Sequence, residues 1–256
     1  MIGAIAGDII GSVYEFSPIK TTDFPLFHPY SNYTDDSVLT LATAEVLLEG
    51  GDYAETYREY CRLYPNAGYG EAFFQWSMSD EVLPYNSWGN GSAMRVSPVA
   101  YAFDTLEEVL EEAEASASVT HNHPEGIRGA QAIAGSVFLA RQRENKTYIR
   151  RFIEEKIGYD LRSTVESIRP TYRFDVSCQG SVPPAIIAFL ESSSFEEAVR
   201  LAVSLGGDSD TLGCMAGAIA GAFYGVPEEI QERAMGYLPS GLRATADEFL
   251  AQFPAV

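Results

Sequence analysis

Apolar residues recur at i, i+3 and i+4 along most of the chain, the spacing of one face of an α-helix. With the start signals beside it, that rhythm predicts helices over 3–15, 36–49, 52–64, 91–102, 105–118 and 124–143. It predicts others over 147–156, 183–191, 195–204, 211–224, 227–236 and 241–252. Asp104-Thr105 precedes the acidic amphipathic stretch LEEVLEEAEAS. Ser194 stands three residues before Glu197, a capping-box pattern. Pro227 suits a first helical turn. No stretch alternates persuasively as a strand; TYRFDVS at 171–177 is expected to be a short extended piece. No linker or low-complexity tract divides the chain, so one all-α domain over 1–256 is expected.

One pattern repeats. GAIAG occurs at 3–7 and again at 217–221, and glycines recur every four residues around each copy. Gly3, Gly7 and Gly11 form one stripe; Gly213, Gly217, Gly221 and Gly225 form the other. A helical glycine costs about 1 kcal/mol relative to alanine. Close approach of helix backbones is the compensation such stripes suggest, so both helices are expected to be central.

Composition narrows the partners. Apolar content is 46%, enough for a sizeable core. Lys plus Arg number 17 against 36 Asp plus Glu, a net charge of −19. That balance disfavours a binder of nucleic-acid backbone, which needs a basic face. It leaves room for a single nucleotide-like ligand and for carboxylates paired with cations. The three cysteines, Cys61, Cys178 and Cys214, are too sparse for a disulfide framework or a zinc site, which points to a reducing cytoplasm. MIGAIAGDIIG lacks a basic leader and carries Asp8, so it does not read as a signal peptide. No run reaches the roughly 20 apolar residues of a membrane span. A monomer is the expectation.

The chemistry lies in the acids. Glu15 follows the first striped helix, Thr34-Asp35-Asp36 precedes SVLTLATAEVLL, and Asp208-Ser209-Asp210-Thr211 precedes the second striped helix. A lone Asp at a helix entry reads as an N-cap or a response to the helix dipole. A cap needs one side-chain oxygen, and each cluster offers two carboxylates and a hydroxyl. In an extended approach residues i and i+2 share a side, so Asp208 and Asp210 can face one point. Gly206-Gly207 supplies the bend. Four converging carboxylates repel unless cations lie between them. Oxygen-only donors suit Mg²⁺, Mn²⁺ or Ca²⁺ rather than zinc, and two such ions would make a binuclear site.

GDIIGSVYE at 7–15, YTDDS at 33–37, GNGSAMRVSP at 89–98, THNHP at 120–124 and LGGDSDTLGCMAGAIAGAFYG at 205–225 together resemble the ADP-ribosylglycohydrolase family. That family includes the dinitrogenase reductase-activating glycohydrolases and the ADP-ribosyl-acceptor hydrolases. The resemblance runs from residue 1 to about 225. It implies a compact orthogonal helical bundle around a cleft with two Mg²⁺ or Mn²⁺ ions. Thr34, Asp35 and Asp36 would hold one side of the pair, and Asp208, Asp210 and Thr211 the other. Glu15 falls where the family has a glutamate close to the metals. ADP-ribose would be the ligand, with its terminal ribose hydroxyls over the ions. Gly68, Tyr69 and Gly70 in NAGYGEAF fit the family's diphosphate loop, whose backbone N–H groups can hold phosphate without basic side chains. Ser87, Trp88 and Asn90 fit its ribose-facing segment, and His121 would be a substrate-side contact rather than a metal ligand.

The implied reaction is hydrolysis at the anomeric carbon of the distal ribose, with Glu15 or Asp36 taking or delivering the proton. The acceptor would be ADP-ribosyl-arginine first, with serine, a small molecule or a nucleic acid as alternatives. Two competing readings stand beside it: an inactive ADP-ribose binder, and a two-metal phosphohydrolase acting with the same acids.

Overall fold

Two helices with almost no solvent-facing side run through the middle of the molecule. The first, α1 (Ile2–Gly11), is buried at all ten positions. The other, Ser209–Tyr224, is buried from Ser209 through Ala220. A computed structural model describes residues 1–80 and 83–254, and these contain fifteen α-helices and no strand. After α1 come α2 (Asp35–Glu49), α3 (Tyr53–Leu63), α4 (Glu71–Met78), α5 (Gly91–Met94), α6 (Val99–Ala102), α7 (Leu106–Ser118) and α8 (Pro124–Arg141). The rest are α9 (Lys146–Phe152), α10 (Val165–Ile168), α11 (Cys178–Glu191), α12 (Phe195–Val203), α13 (Ser209–Tyr224), α14 (Glu228–Met235) and α15 (Ser240–Gln252). Around α13 pack α1, α8, α11 and α12; α2 joins from the side of α1, with α3 and α15 against it.

The glycine stripes explain that centre. A Cβ placed on Gly7 would lie 2.0 Å from the carbonyl oxygen of Gly213, and one on Gly3 would lie 2.1 Å from that of Gly217. In the other direction, a Cβ on Gly217 would lie 2.2 Å from the Gly3 oxygen. The two backbones therefore touch, and no larger residue fits between them. Gly225 takes no part: it ends α13 with φ +79 and open space beside it.

Several helices depart from the sequence pattern for identifiable reasons. The single helix expected over 91–102 is two short ones, because Pro98 lacks an N–H and disfavours helical geometry at Ser97. The helix expected from 183 begins five residues earlier, at Cys178. Pro183 and Pro184 sit inside it, and the Gly180 carbonyl that Pro184 cannot serve accepts from the Tyr172 hydroxyl at 2.9 Å instead. The stretch 3–15 stops as an α-helix at Gly11 and continues as a 3₁₀ turn over Ser12–Tyr14. Helices α4 and α10 were not anticipated. Their short apolar patterns, eight and four residues, fall below the length at which periodicity is distinctive. The 171–177 stretch is no strand; it carries one isolated antiparallel bridge, Ser177 to Gly89. Ser194 caps α12 through Glu197 N, but the Glu197 carboxylate accepts from Ser193 N instead of Ser194 N. Reciprocal capping boxes form at Thr105–Glu108 and at Thr164–Ser167.

If the glycine stripe sets the helix spacing, Gly7→Val should overpack it and lower unfolding free energy by about 1–3 kcal/mol or more. Gly51→Ala, whose nearest neighbour to the new methyl is 3.6 Å away, should stay within about 0.5 kcal/mol. Denaturant melts of the two variants check the contrast.

Candidate active site

The contact between α1 and α13 brings acids from both ends of the sequence together. Asp8 lies in the middle of α1 with no exposure at all. Its carboxylate accepts from Thr34 N (3.0 Å), Thr34 Oγ1 (2.8 Å), Ser37 N (3.1 Å) and Ser37 Oγ. It thereby ties the N-terminus of α2 to α1. Thr34 is the N-cap of α2, accepting from Asp36 N at 3.3 Å. The capping requirement is met by that hydroxyl, so Asp35 and Asp36 are surplus to it.

At the other entry, Gly206 and Gly207 take left-handed φ values of +69 and +80, the bend that turns the chain into α13. A side chain on Gly207 would also meet the Arg173 carbonyl at 2.9 Å. Asp208 occupies the N-cap position, yet its side chain makes no capping bond. Its Oδ2 accepts from Asn90 Nδ2 at 2.7 Å instead. Capping therefore explains neither aspartate cluster.

Two acid groups result. Asp8, Asp36 and Asp210 each offer a carboxylate oxygen within 4.8 Å of the others, and so do Glu15, Asp208 and Asp210. Asp210 belongs to both. Polar partners run short within them. Asp36 Oδ1 is buried with no hydrogen-bond partner. Thr34 Oγ1 stands 2.8 Å from Asp8 Oδ1 and 3.0 Å from Asp36 Oδ2, and one hydroxyl hydrogen cannot serve both. Thr211 Oγ1 approaches Asp36 Oδ2 at 3.4 Å.

The electrostatics follow. Burial, opposed by its hydrogen bonds, raises the Asp8 pKa to about 6. Burial, then the Asp208 and Asp8 charges, raises Glu15 to about 7. Burial and neighbouring carboxylates push Asp35, Asp36 and Asp210 well above the ordinary carboxylate range. Asp208 is also raised by burial, with Asn90 pulling the other way. Oxygen-only donors, an orphaned buried oxygen and carboxylates that cannot all ionise together fit hard divalent cations.

Glu15, Asp35, Glu71, Asp208 and Asp210 form the acidic part of the wall of a cavity of about 420 Å³, the size of a small-molecule site. Gly68 and Gly70 line one side, and Ser87, Asn90 and His121 another. Gly68 has φ +96, and Gly70 opens α4 with no side chain capping that helix. Thr34 and Thr211 also reach the cavity, while Asp36 lies outside its lining. Two expected contacts are placed differently. Tyr69 stacks on Phe73 (5.6 Å between centroids) and is absent from the cavity wall. Trp88 is 48% exposed, so it is no core residue, and it too lies off the wall.

A family model described as ADP-ribosylglycohydrolase matches residues 1–255. The chain belongs to the ADP-ribosylglycohydrolase family. It is 29% identical to human "ADP-ribosylhydrolase ARH3", the match covering 93% of this chain and 88% of that one. The Bos taurus protein of the same name is 30% identical with the same coverage. "ADP-ribosylarginine hydrolase Tri1" of Pseudomonas putida (strain GB-1) is 26% identical, over 91% of this chain and 73% of its own length. A solved structure titled "ADP-ribosylglycohydrolase-related protein complex" superposes with a TM-score of 0.74 and 26% identity, covering 98% of this chain and 96% of that one. The chain is thus an ADP-ribosyl hydrolase, a glycosidase-type enzyme, with the family's all-helical fold. No described helix is long and apolar enough to cross a membrane.

Asp8 joins the first acid group from outside the two aspartate motifs. Its signal was present: a charged side chain inside an otherwise apolar, glycine-striped helix. Two outcomes test the acid cluster. These acids have folded-state pKa values raised above their unfolded ones, so their ionisation opposes folding. In EDTA the chain should be most stable near pH 4–5 and lose stability as pH rises toward 7 and beyond. Mg²⁺ should restore it at pH 8 far more than at pH 5, by about 3 kcal/mol at a hundredfold excess over Kd. Thermal melts at the two pH values, with and without Mg²⁺, give the answer; stability in EDTA that is flat or rising over that range contradicts it.

Proposed function

We propose that this enzyme releases ADP-ribose from ADP-ribosyl-arginine by hydrolysing the bond at the anomeric carbon of the distal ribose. Two Mg²⁺ or Mn²⁺ ions are its cofactors in this reading. The observation that carries it is the pair of acid groups sharing Asp210 on the wall of a nucleotide-sized cavity. Thr34, Asp35 and Asp36 would hold one ion, and Asp208, Asp210 and Thr211 the other, with Asp8 close enough to join the first group. Such ions, when bound, supply the positive charge that lets the carboxylates ionise side by side and that fixes ribose hydroxyls.

The chain's own residues do the rest. Glu15, raised to about 7 in the metal-free chain by burial and by the Asp208 and Asp8 charges, is the first candidate for general acid or base. Asp36 carries an unpartnered oxygen and is the second candidate for that role. Asn90 orients Asp208 through its amide. Gly68 and Gly70 leave backbone next to the cavity uncovered by side chains, a surface for the diphosphate. The Tyr69 backbone lies between them, and Ser87 and His121 offer polar atoms to the nucleotide. The exposed Trp88 ring is free to cover a bound base. Arginine is favoured by charge: its guanidinium suits a chain of net charge −19. The similarity to a protein named as an ADP-ribosylarginine hydrolase points the same way. Three free, buried cysteines suit a reducing cytoplasm.

The test is product analysis with ADP-ribosyl-arginine and ADP-ribosyl-serine substrates. Free ADP-ribose and unmodified arginine are expected with Mg²⁺, and loss of turnover with EDTA or Asp208→Asn. Asn90→Ala, which removes the bond that orients Asp208, should cost about 10–100-fold. Release of AMP or phosphate would assign a phosphohydrolase instead, and turnover of the serine substrate alone would move the acceptor.

A further inference from the structure

Arg95 is completely buried on the cavity wall, and none of the ion pairs among the described residues involves it. Its guanidinium lies over the Tyr57 ring, 4.1 Å from the centroid. Its Nη2 donates to Ser116 O (3.0 Å) and to Thr120 Oγ1 (2.8 Å). Thr120, itself fully buried, places that same Oγ1 2.7 Å from Nδ1 of His121. Guanidinium only donates, so the Thr120 oxygen accepts from Arg95. Its own hydrogen then has His121 Nδ1 as its acceptor. The reverse arrangement would make the hydroxyl accept twice and strand its hydrogen in a buried site, at a cost of about 1–3 kcal/mol. A neutral imidazole that accepts at Nδ1 carries its proton on Nε2.

The far side of the ring faces the ligand space. His121 is 5% exposed and lines the cavity. Its Nε2 would stand 3.0 Å from a Cβ on Gly91 and 3.5 Å from one on Gly89, so both glycines leave room in front of that nitrogen. The ring is held edge-to-face against Tyr85, and its backbone N–H is fixed to Ala117 O at 2.7 Å.

We infer that Arg95 and Thr120 are positioning residues that hold His121 in the Nε2–H tautomer, as a fixed donor to an oxygen of the bound ADP-ribosyl group. The ligand in this inference rests on the proposed function; the relay rests on the hydrogen-bond chain alone. Burial, and then the Arg95 charge, keep the His121 pKa well below the usual imidazole value, so the ring stays neutral. Arg95 thus acts on the ring through Thr120: its charge polarises Thr120, and Thr120 fixes the ring.

Nitrogen-15 NMR of the full chain at neutral pH reads the tautomer directly. Only three histidines need assignment. The His121 signals should show a protonated Nε2 and an unprotonated Nδ1, and Thr120→Val should lose that pattern while Thr120→Ser keeps it. Calorimetric titration with ADP-ribose should show Thr120→Val binding about five- to tenfold more weakly, and Thr120→Ser close to wild type. A protonated Nδ1 in the wild-type chain overturns the relay, even if Thr120→Val fails to fold. A Thr120→Val protein that loses the tautomer yet binds ADP-ribose unchanged overturns the donor role. If the wild-type chain does not bind ADP-ribose, the proposed function and the ligand fall together, and the nitrogen shifts alone still decide the relay.

Discussion

Everything in this molecule depends on α1 and α13 touching backbone to backbone. Six glycines, three on each helix, remove the side chains that would hold the axes apart. Each helical glycine gives up about 1 kcal/mol relative to alanine. The return is dispersion contact along both backbones and burial of the apolar residues that flank the stripes. The consequence for function is geometric. Asp8 and Glu15, near the start of the chain, come within carboxylate distance of Asp208 and Asp210, about two hundred residues later. A bulkier interface would move these two acid sets apart and leave two ordinary helix entries.

The acid cluster opposes folding of the bare chain. Each of its carboxylates has its pKa raised, with burial the largest cause every time. The surrounding polar groups orient the acids without neutralising them. Ser37 and Thr34 hold Asp8, and Asn90 holds Asp208. No basic side chain forms an ion pair with these acids among the described residues. A protein that needed only stability would do better with neutral caps at both helix entries. An array fixed by neutral donors and left short of positive charge is what a divalent-cation site requires.

The parts readable in the sequence were those with local signatures. The long helices follow from their periodicity. The pairing of TDDS with GGDSDT identifies the acids, because two clusters of one make-up exceed what caps need. What stayed hidden was decided elsewhere in the chain. The Pro183-Pro184 pair reads as a helix start, yet Tyr172 rescues the carbonyl it orphans and the helix begins at Cys178. Asp8 reads as a charge in an apolar helix until Thr34 and Ser37, from another helix, are seen bonded to it. The placing of Trp88 and Tyr69 depended on tertiary orientation, about which a motif's spacing says nothing.

The cavity wall carries its charges unevenly, and this bears on how an anion could enter an acidic protein. Arg95 is the one cation among its lining residues. It is fully buried, with Nη2 bonded to Thr120, which in turn meets His121. A lysine or arginine exposed in the cavity would pair with the neighbouring carboxylates and occupy the space cations need. Arg95 Nη2 is turned toward Thr120, through which its charge also polarises the His121 ring. Gly68 and Gly70 also line the cavity, where their missing side chains leave backbone uncovered. In the proposed reading the uncharged N–H groups would face the phosphate oxygens, and the acids, once cations are bound, the ribose end. In that reading the division would let one small cavity hold a diphosphate and a cation-binding carboxylate cluster without either cancelling the other.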